Sequence, residues 1–241
     1  MTLSNKVVLV TGANRGIGAA IVQEMLKSDV AKIYATARDP KTLPAFGDAR
    51  VVPLQLDVTS DASVDAVASI AKDVDVLVNN AGTLAFGDYI GGDLETFEDD
   101  MRTNYFGTLR VLRAFTPQFI ARKSGTIANV SSVVGLSAVP LMAGYSASKA
   151  AVHSITQSLR GTLEKDNITV IGIYPGPIET ALAKPVPYPE KATPEYAAIN
   201  IVRGIAEGQT YIFPDPMAKQ VEQLWSTDNR KLEDVALHLG V

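Results

Sequence analysis

Short apolar runs rich in β-branched residues alternate along the chain with stretches in which apolar positions recur every three or four residues. Residues 6–11 (KVVLVT), 32–37 (KIYATA), 50–56 (RVVPLQL), 75–79 (DVLVN), 126–130, 168–174 (ITVIGIY) and 210–213 read as strands. Pro53 demotes the third of these to an edge, because proline cannot donate to a ladder. Helical spacing covers 17–27, 60–72, 143–165 and 195–207, and Ser60 followed by Asp61 is a helix-start signal. Residues 94–122 predict one long helix, or two broken near Gly107, with Pro117 allowing a second break. Strand and helix alternate throughout, which predicts right-handed crossovers and a doubly wound, seven-stranded parallel sheet with helices on both faces. The expectation is one three-layer α/β/α domain over 1–241.

Two segments depart from that alternation. Residues 175–195 carry Pro175, Pro177, Pro185, Pro187, Pro189 and Pro194, and predict a stiff loop at the carboxyl end of a strand, placed to act as a substrate lid. From Asp215 onward the pattern is helical and amphipathic, with Leu224, Trp225, Leu232, Val235 and Leu237 available to cover the body or a partner.

Composition narrows the function classes. With 241 residues, 46% hydrophobic and 20% charged, the chain is long enough for one large core. A net charge of −4 without a basic cluster gives no reason to expect nucleic-acid binding. There is no cysteine, so disulfides and thiolate metal sites are excluded, and His153 and His238 stand apart without a companion ligand pattern, so no metal site is expected. No apolar run approaches membrane-spanning length and no signal-peptide pattern opens the chain, which points to a cytoplasmic protein off the membrane.

The first strand runs into Thr11-Gly12-Ala13-Asn14-Arg15-Gly16-Ile17-Gly18 and then a helix. Glycines there allow close backbone approach, and a helix amino terminus offers free N–H groups to a pyrophosphate, so a dinucleotide is the expected ligand. The spacing is G-x-x-x-G-x-G, and no Lys-Ser or Lys-Thr follows as in a P-loop. After the second strand Ala37-Arg38 stands where an acidic residue would favour NAD. With Arg15 nearby, this predicts NADP(H) in preference to NAD(H), although Asp39 keeps NAD open. Further on, Tyr145 and Lys149 are four apart at the start of a helix, on one face. An ammonium about 4 Å from a phenolate, at an effective dielectric near 20, favours the ionised form by roughly 4 kcal/mol, or about 3 pKa units. Taken alone that pair is a frequent coincidence.

Together, TGANRGIG (11–18), NNAG (79–82), Asn104 in TNYFG, Ser131-Ser132, YSASK (145–149) and PGPIET (175–180) resemble the short-chain dehydrogenase/reductases of the classical type over about residues 6–213. The resemblance implies a Rossmann-type fold and a catalytic tetrad of Asn104, Ser132, Tyr145 and Lys149. Tyr145 would protonate the carbonyl oxygen as hydride arrives, and Ser132 would orient that oxygen. Lys149 would lower the Tyr145 pKa and hold the nicotinamide ribose, and Asn104 would bind a water linking Lys149 to solvent. It further implies cofactor contacts from Gly12, Asn14, Arg15, Gly16, Ile17, Gly18, Arg38, Asp57, Val58, Asn80, Ala81, Gly82, Tyr145, Lys149, Pro175, Gly176, Ile178 and Thr180.

The implied activity is NADP(H)-dependent hydride transfer to or from a small, hydrophobic ketone, aldehyde or secondary alcohol. The alternative is a catalytically silent NADP(H)-sensing regulator of the same fold, against which the intact quartet argues. Leu84, Leu136, Leu141, Met142 and residues 181–188 are the expected pocket. Many family members end shortly after the seventh strand, whereas this chain continues past Phe213. The helices at 94–122 and 143–165 would form the family's four-helix interface in a homodimer or homotetramer.

Overall fold

The computed structural model describes residues 2–184, 188 and 190–238, so Pro185, Pro187 and Pro189 of the expected lid lie outside the described residues. The strands are β1 (Val7–Val10), β2 (Lys32–Ala37), β3 (Val51–Gln55), β4 (Val76–Asn79), β5 (Gly125–Val130), β6 (Ile168–Ile173) and β7 (Tyr211–Ile212). All pair in parallel, in the order β3-β2-β1-β4-β5-β6-β7. Pro53 does sit in an edge strand, exposed to solvent.

The period-two alternation of the strands divides the core. Val8, Val10, Ile33, Ala35, Val76, Val78, Ile171 and Ile173 face one layer, containing α1 (Gly16–Met25) and α6 (Pro194–Glu207). Leu9, Tyr34, Leu77, Ile127 and Val170 face the other, with α2 (Asp61–Ile70), α4 (Thr108–Arg122) and α5 (Ala143–Leu163). Ser60 caps α2 and Thr193 caps α6, the latter with Pro194 in the first turn.

The region 94–122 breaks at neither expected place. Helix α3 (Leu94–Asp100) continues through a π-helical segment, Met101–Gly107, into α4, and Pro117 lies within α4. Gly107 serves close packing: a Cβ there would come 2.7 Å from Val58 Cγ2. The carboxyl-terminal region forms two helices, α7 (Pro216–Thr227) and α8 (Asn229–Leu237), separated at Asp228. A third apolar cluster joins Ala218, Val221 and Trp225 of α7 and Ala236 of α8 to Val133, Val134, Tyr145, Tyr174 and Phe213. The tail therefore packs on the body of its own chain.

In this sheet the chain winds outward from β1 to β3 and then returns to β4, so a crevice opens beyond the carboxyl ends of β1 and β4, where open α/β sheets bind ligands.

Candidate active site

A cleft of about 500 Å³ runs from that crevice past Tyr145 and Lys149 to α7 and α8, a size suited to small molecules. Every residue anticipated at the cofactor lines it, as do Ser132, Tyr145 and Lys149. Asn104 lies behind the lining.

At the glycine loop, α1 begins at Arg15 with no side-chain cap, so its first N–H groups are left for a ligand, unlike those of α2 and α6. Gly12 holds φ +65°, and a Cβ on Gly18 would lie 2.3 Å from Gly12 O and 2.4 Å from Asn80 Nδ2. Asn80 donates from Nδ2 to the carbonyls of Thr11 (2.9 Å) and Gly12 (3.1 Å), while Thr11 Oγ1 accepts from the N–H groups of Asn80 and Ala81, both at 2.9 Å. The NNAG segment thus braces the loop, a role that Thr11 shares and that was not anticipated. Asn79 donates to Asn129 Oδ1 at 2.8 Å across β4 and β5, inside the sheet.

The end of the cleft beside the glycine loop and β2 carries the charge. Arg15 and Arg38 line the cleft, and neither makes a salt bridge among the described residues. Asp39 Oδ1 accepts from Lys41 N at 3.0 Å as the cap of a short 3₁₀ turn, which ties the one carboxylate that could read a ribose in the NAD manner. Asp57 is held below the usual carboxylate range, chiefly by the Thr59 hydroxyl, with the Arg38 charge adding to the effect.

At the other end, Lys149 is 4% exposed and donates from Nζ to Val130 O at 2.9 Å. Burial pushes its pKa down to about 8, opposed by the negative charge of Asp100. The Tyr145 phenol is pushed above its ordinary value, first by burial; its hydrogen bond with Ser132 acts the other way, and Asp100 adds to the rise. This corrects the expected tuning of the phenol toward neutrality: Lys149 Nζ stands 5.6 Å from the ring centroid, and desolvation outweighs any attraction at that separation. Ser132 Oγ also donates to Pro175 O at 3.2 Å, tying the serine to the loop after β6.

Asn104, 1% exposed in the π segment, donates from Nδ2 to Thr83 O (3.0 Å) and Ser148 Oγ (2.9 Å) and accepts at Oδ1 from Thr83 N (2.8 Å). Its amide donors are both occupied, leaving an acceptor site on Oδ1. A Cβ built on Gly82 would lie 2.9 Å from that oxygen and 3.6 Å from Lys149 Nζ, so Oδ1 borders the lysine.

One turn earlier is Asp100, a buried carboxylate that sequence reading missed. It accepts from Thr83 Oγ1 (2.9 Å) and Ala85 N (3.2 Å), and burial raises its pKa. Asp100 and Asn104 together clamp the segment after β4 beside Lys149.

Of the residues expected to form the substrate pocket, Leu84, Leu141, Met142, Ala181 and Tyr188 line the cleft. Leu136 does not; it ends a 3₁₀ turn and packs into the third apolar cluster. In its place α7 and α8 contribute Met217, Val221, Leu224, Leu232 and Val235.

The chain is similar to known proteins in sequence and in fold. The sequence model of the short chain dehydrogenase family matches residues 6–191. An uncharacterized oxidoreductase of Staphylococcus saprophyticus is 36% identical over 192 residues, covering 75% of this chain and 82% of that protein. One from Staphylococcus epidermidis is 30% identical over 229 residues, covering 92% and 96%. The crystal structure of a short chain dehydrogenase from Burkholderia cenocepacia in complex with NADP superposes with a TM-score of 0.92 at 35% identity, over 98% of this chain and 99% of that one. The cleft, the sheet and these likenesses agree: the chain belongs to the short-chain dehydrogenase/reductase family and is an oxidoreductase.

Proposed function

We propose that the protein is an NADP(H)-dependent carbonyl reductase or alcohol dehydrogenase acting on a small, hydrophobic ketone, aldehyde or secondary alcohol. The observation that carries this reading is the meeting of the Tyr145 hydroxyl, hydrogen-bonded to Ser132, with Lys149 in the same cleft that begins at the uncapped start of α1. The residues fit the cofactor: a glycine-floored cradle for the pyrophosphate, Arg15 and Arg38 for a 2′-phosphate, and the loop at Pro175, Gly176, Ile178 and Thr180 for the carboxamide end.

When bound, NADPH supplies the hydride. Tyr145 donates the phenolic proton to the carbonyl oxygen, and burial suits it to do so, because a raised pKa keeps the proton on the phenol until negative charge develops on the substrate. Ser132, by turning its one hydroxyl proton from Pro175 O to the substrate, donates a hydrogen bond to the same oxygen and orients it. Lys149, charged below about pH 8, stabilises the phenolate left behind. The free acceptor site on Asn104 Oδ1 beside Lys149 suits a water that returns the proton from solvent. Phe106 and Ile120, 46% and 40% exposed on the outer face of the π segment and α4, suit a homo-oligomer contact.

The test is loss of absorbance at the NADPH band over a panel of ketones and aldehydes, with NADH in parallel. Tyr145→Phe should lower kcat by at least about a hundredfold while NADPH affinity stays near wild type. Cofactor binding without turnover of any carbonyl, or undiminished turnover by Tyr145→Phe, would refute the reading.

A further inference from the structure

We infer that α7 and α8 are the specificity wall of this site, and that the substrate is an uncharged carbonyl compound or alcohol with an extended apolar tail. The inference rests on carbonyl chemistry at Tyr145 as proposed above.

The wall can be read residue by residue. Met217, Val221 and Leu224 follow one another at helical spacing on one face of α7, and Leu232, Val235 and Ala236 do so on α8; all six line the cleft that contains Tyr145. The only polar side chain these two helices add among the described lining residues is Gln220, itself exposed. Among the described residues, the charged side chains of the lining are Arg15, Arg38, Asp39 and Asp57, all toward the glycine loop and β2, and Lys149. Against α7 and α8 a carboxylate or phosphate on the substrate tail would meet apolar surface with no counter-charge among the described residues, while Lys184 and Lys191 line an adjoining cavity that shares Thr180, Ala181 and Tyr188 with the cleft but no residue of these helices; burying an unpaired charge is strongly unfavourable.

The wall is also held in register with the reacting atoms. Asp215 caps α7 by accepting from Ala218 N at 2.9 Å, and its other carboxylate oxygen accepts from Gly176 N at 2.8 Å, which joins the start of α7 to the loop after β6. Behind the wall Trp225 stacks on Tyr174 at 6.5 Å between ring centroids and meets Tyr211 edge-on at 5.2 Å. The lining residues are thus backed by a packed aromatic cluster, which gives a tail of defined length something rigid to press against.

The experiment measures kcat/KM with NADPH for linear methyl ketones from butanone to decan-2-one and for their ω-carboxylated counterparts. Wild type is compared with Leu224→Ala on α7 and Val235→Ala on α8; Val235 is 44% exposed, so its truncation spares the core. The expected result is a rise of about fourfold per added methylene until the wall is filled. Carboxylated ketones should lie at least about a hundredfold lower at equal length. Each truncation should lower the ratio of long-chain to short-chain kcat/KM, by about tenfold for Leu224→Ala. A flat chain-length profile, equal use of carboxylated ketones, or an unchanged ratio in both variants would overturn the wall while leaving the reaction intact. Independently of turnover, decan-2-one titrated into Tyr145→Phe with NADPH present should shift the emission of Trp225, the chain's only tryptophan. An emission shift without turnover by wild type would refute the reaction and keep the wall; no shift would count against the wall.

Discussion

Replacing Asp215 by asparagine tests how the carboxyl-terminal helices are fastened to the site. The side chain is 1% exposed, and its two oxygens accept from two different backbone N–H groups, Ala218 at 2.9 Å and Gly176 at 2.8 Å. An amide of the same shape has one oxygen. Whichever N–H it keeps, the other then faces an NH₂ group, leaving a buried donor unsatisfied at about 1–3 kcal/mol. Part of this is offset, because burial already disfavours the charged carboxylate and pushes its pKa up. A net loss of about 2 kcal/mol follows, which for a domain of this size lowers Tm by roughly 4–8 °C. If the amide oxygen stays on Ala218 and preserves the helix cap, Gly176 is the group released. Catalysis should then suffer beyond the loss of stability, with kcat/KM reduced well below the folded threshold of the variant. Thermal unfolding followed by far-ultraviolet circular dichroism, with steady-state kinetics far below Tm, separates the two effects. Stability within about 0.5 kcal/mol of wild type, together with unaltered kinetics, would mean that Asp215 does not hold α7 to the Pro175–Gly176 loop as described.

Four other expectations follow from the same cleft. Arg38→Asp should raise the KM for NADPH far more than that for NADH, measured with one carbonyl substrate and both cofactors; equal effects would show that Arg38 does not read the 2′-phosphate. With Lys149 at about 8, kcat/KM for reduction should hold below that pH and fall above it as the ammonium loses its proton. Because the Asp100 carboxylate raises the lysine pKa, Asp100→Asn should move the falling limb to lower pH, and a limb that stays in place would exclude Asp100 from this role. Gly18→Ala puts a methyl group 2.3 Å from Gly12 O and should abolish NADPH binding, read by cofactor fluorescence, with the protein still folded by circular dichroism.

The layered sheet was legible because strand period and helix period are local properties of sequence: residues 32–37 coincide with β2, and Pro53 marks an edge strand. The cleft lining was legible through motif order, and each anticipated cofactor residue reaches it. The helix at 94–122 was harder to read, because Gly107 and Pro117 look like breakers when propensity alone is considered. Tertiary packing decides there: Gly107 is the residue that lets Val58 approach, and the preceding turn widens into a π segment that carries Asn104. The tail's amphipathic spacing was visible, but spacing does not say which surface a face will cover. That is determined by Asp215 and Trp225, whose partners Gly176 and Tyr174 lie about forty to fifty residues earlier in the chain.

The protonation of the Tyr145–Lys149 pair was the least legible feature, for an electrostatic reason. From sequence, four-residue spacing gives a separation, and a separation gives an attraction. The sign of a pKa shift depends also on burial, which reflects every element packed around the pair. Here the groups packed around the partly buried Tyr145 and the buried Lys149 come from the π segment, the segment after β4 and the third apolar cluster. Their burial pushes the phenol up and the ammonium down, opposite to what ion pairing would do to each. Asp100 acts against that trend at the lysine and with it at the tyrosine, so one buried carboxylate favours keeping both protons in place. In the reaction proposed above, a site arranged in this way would hold the phenolic proton until negative charge appears on a substrate, which suits reduction more directly than a site whose tyrosine is already ionised at neutral pH.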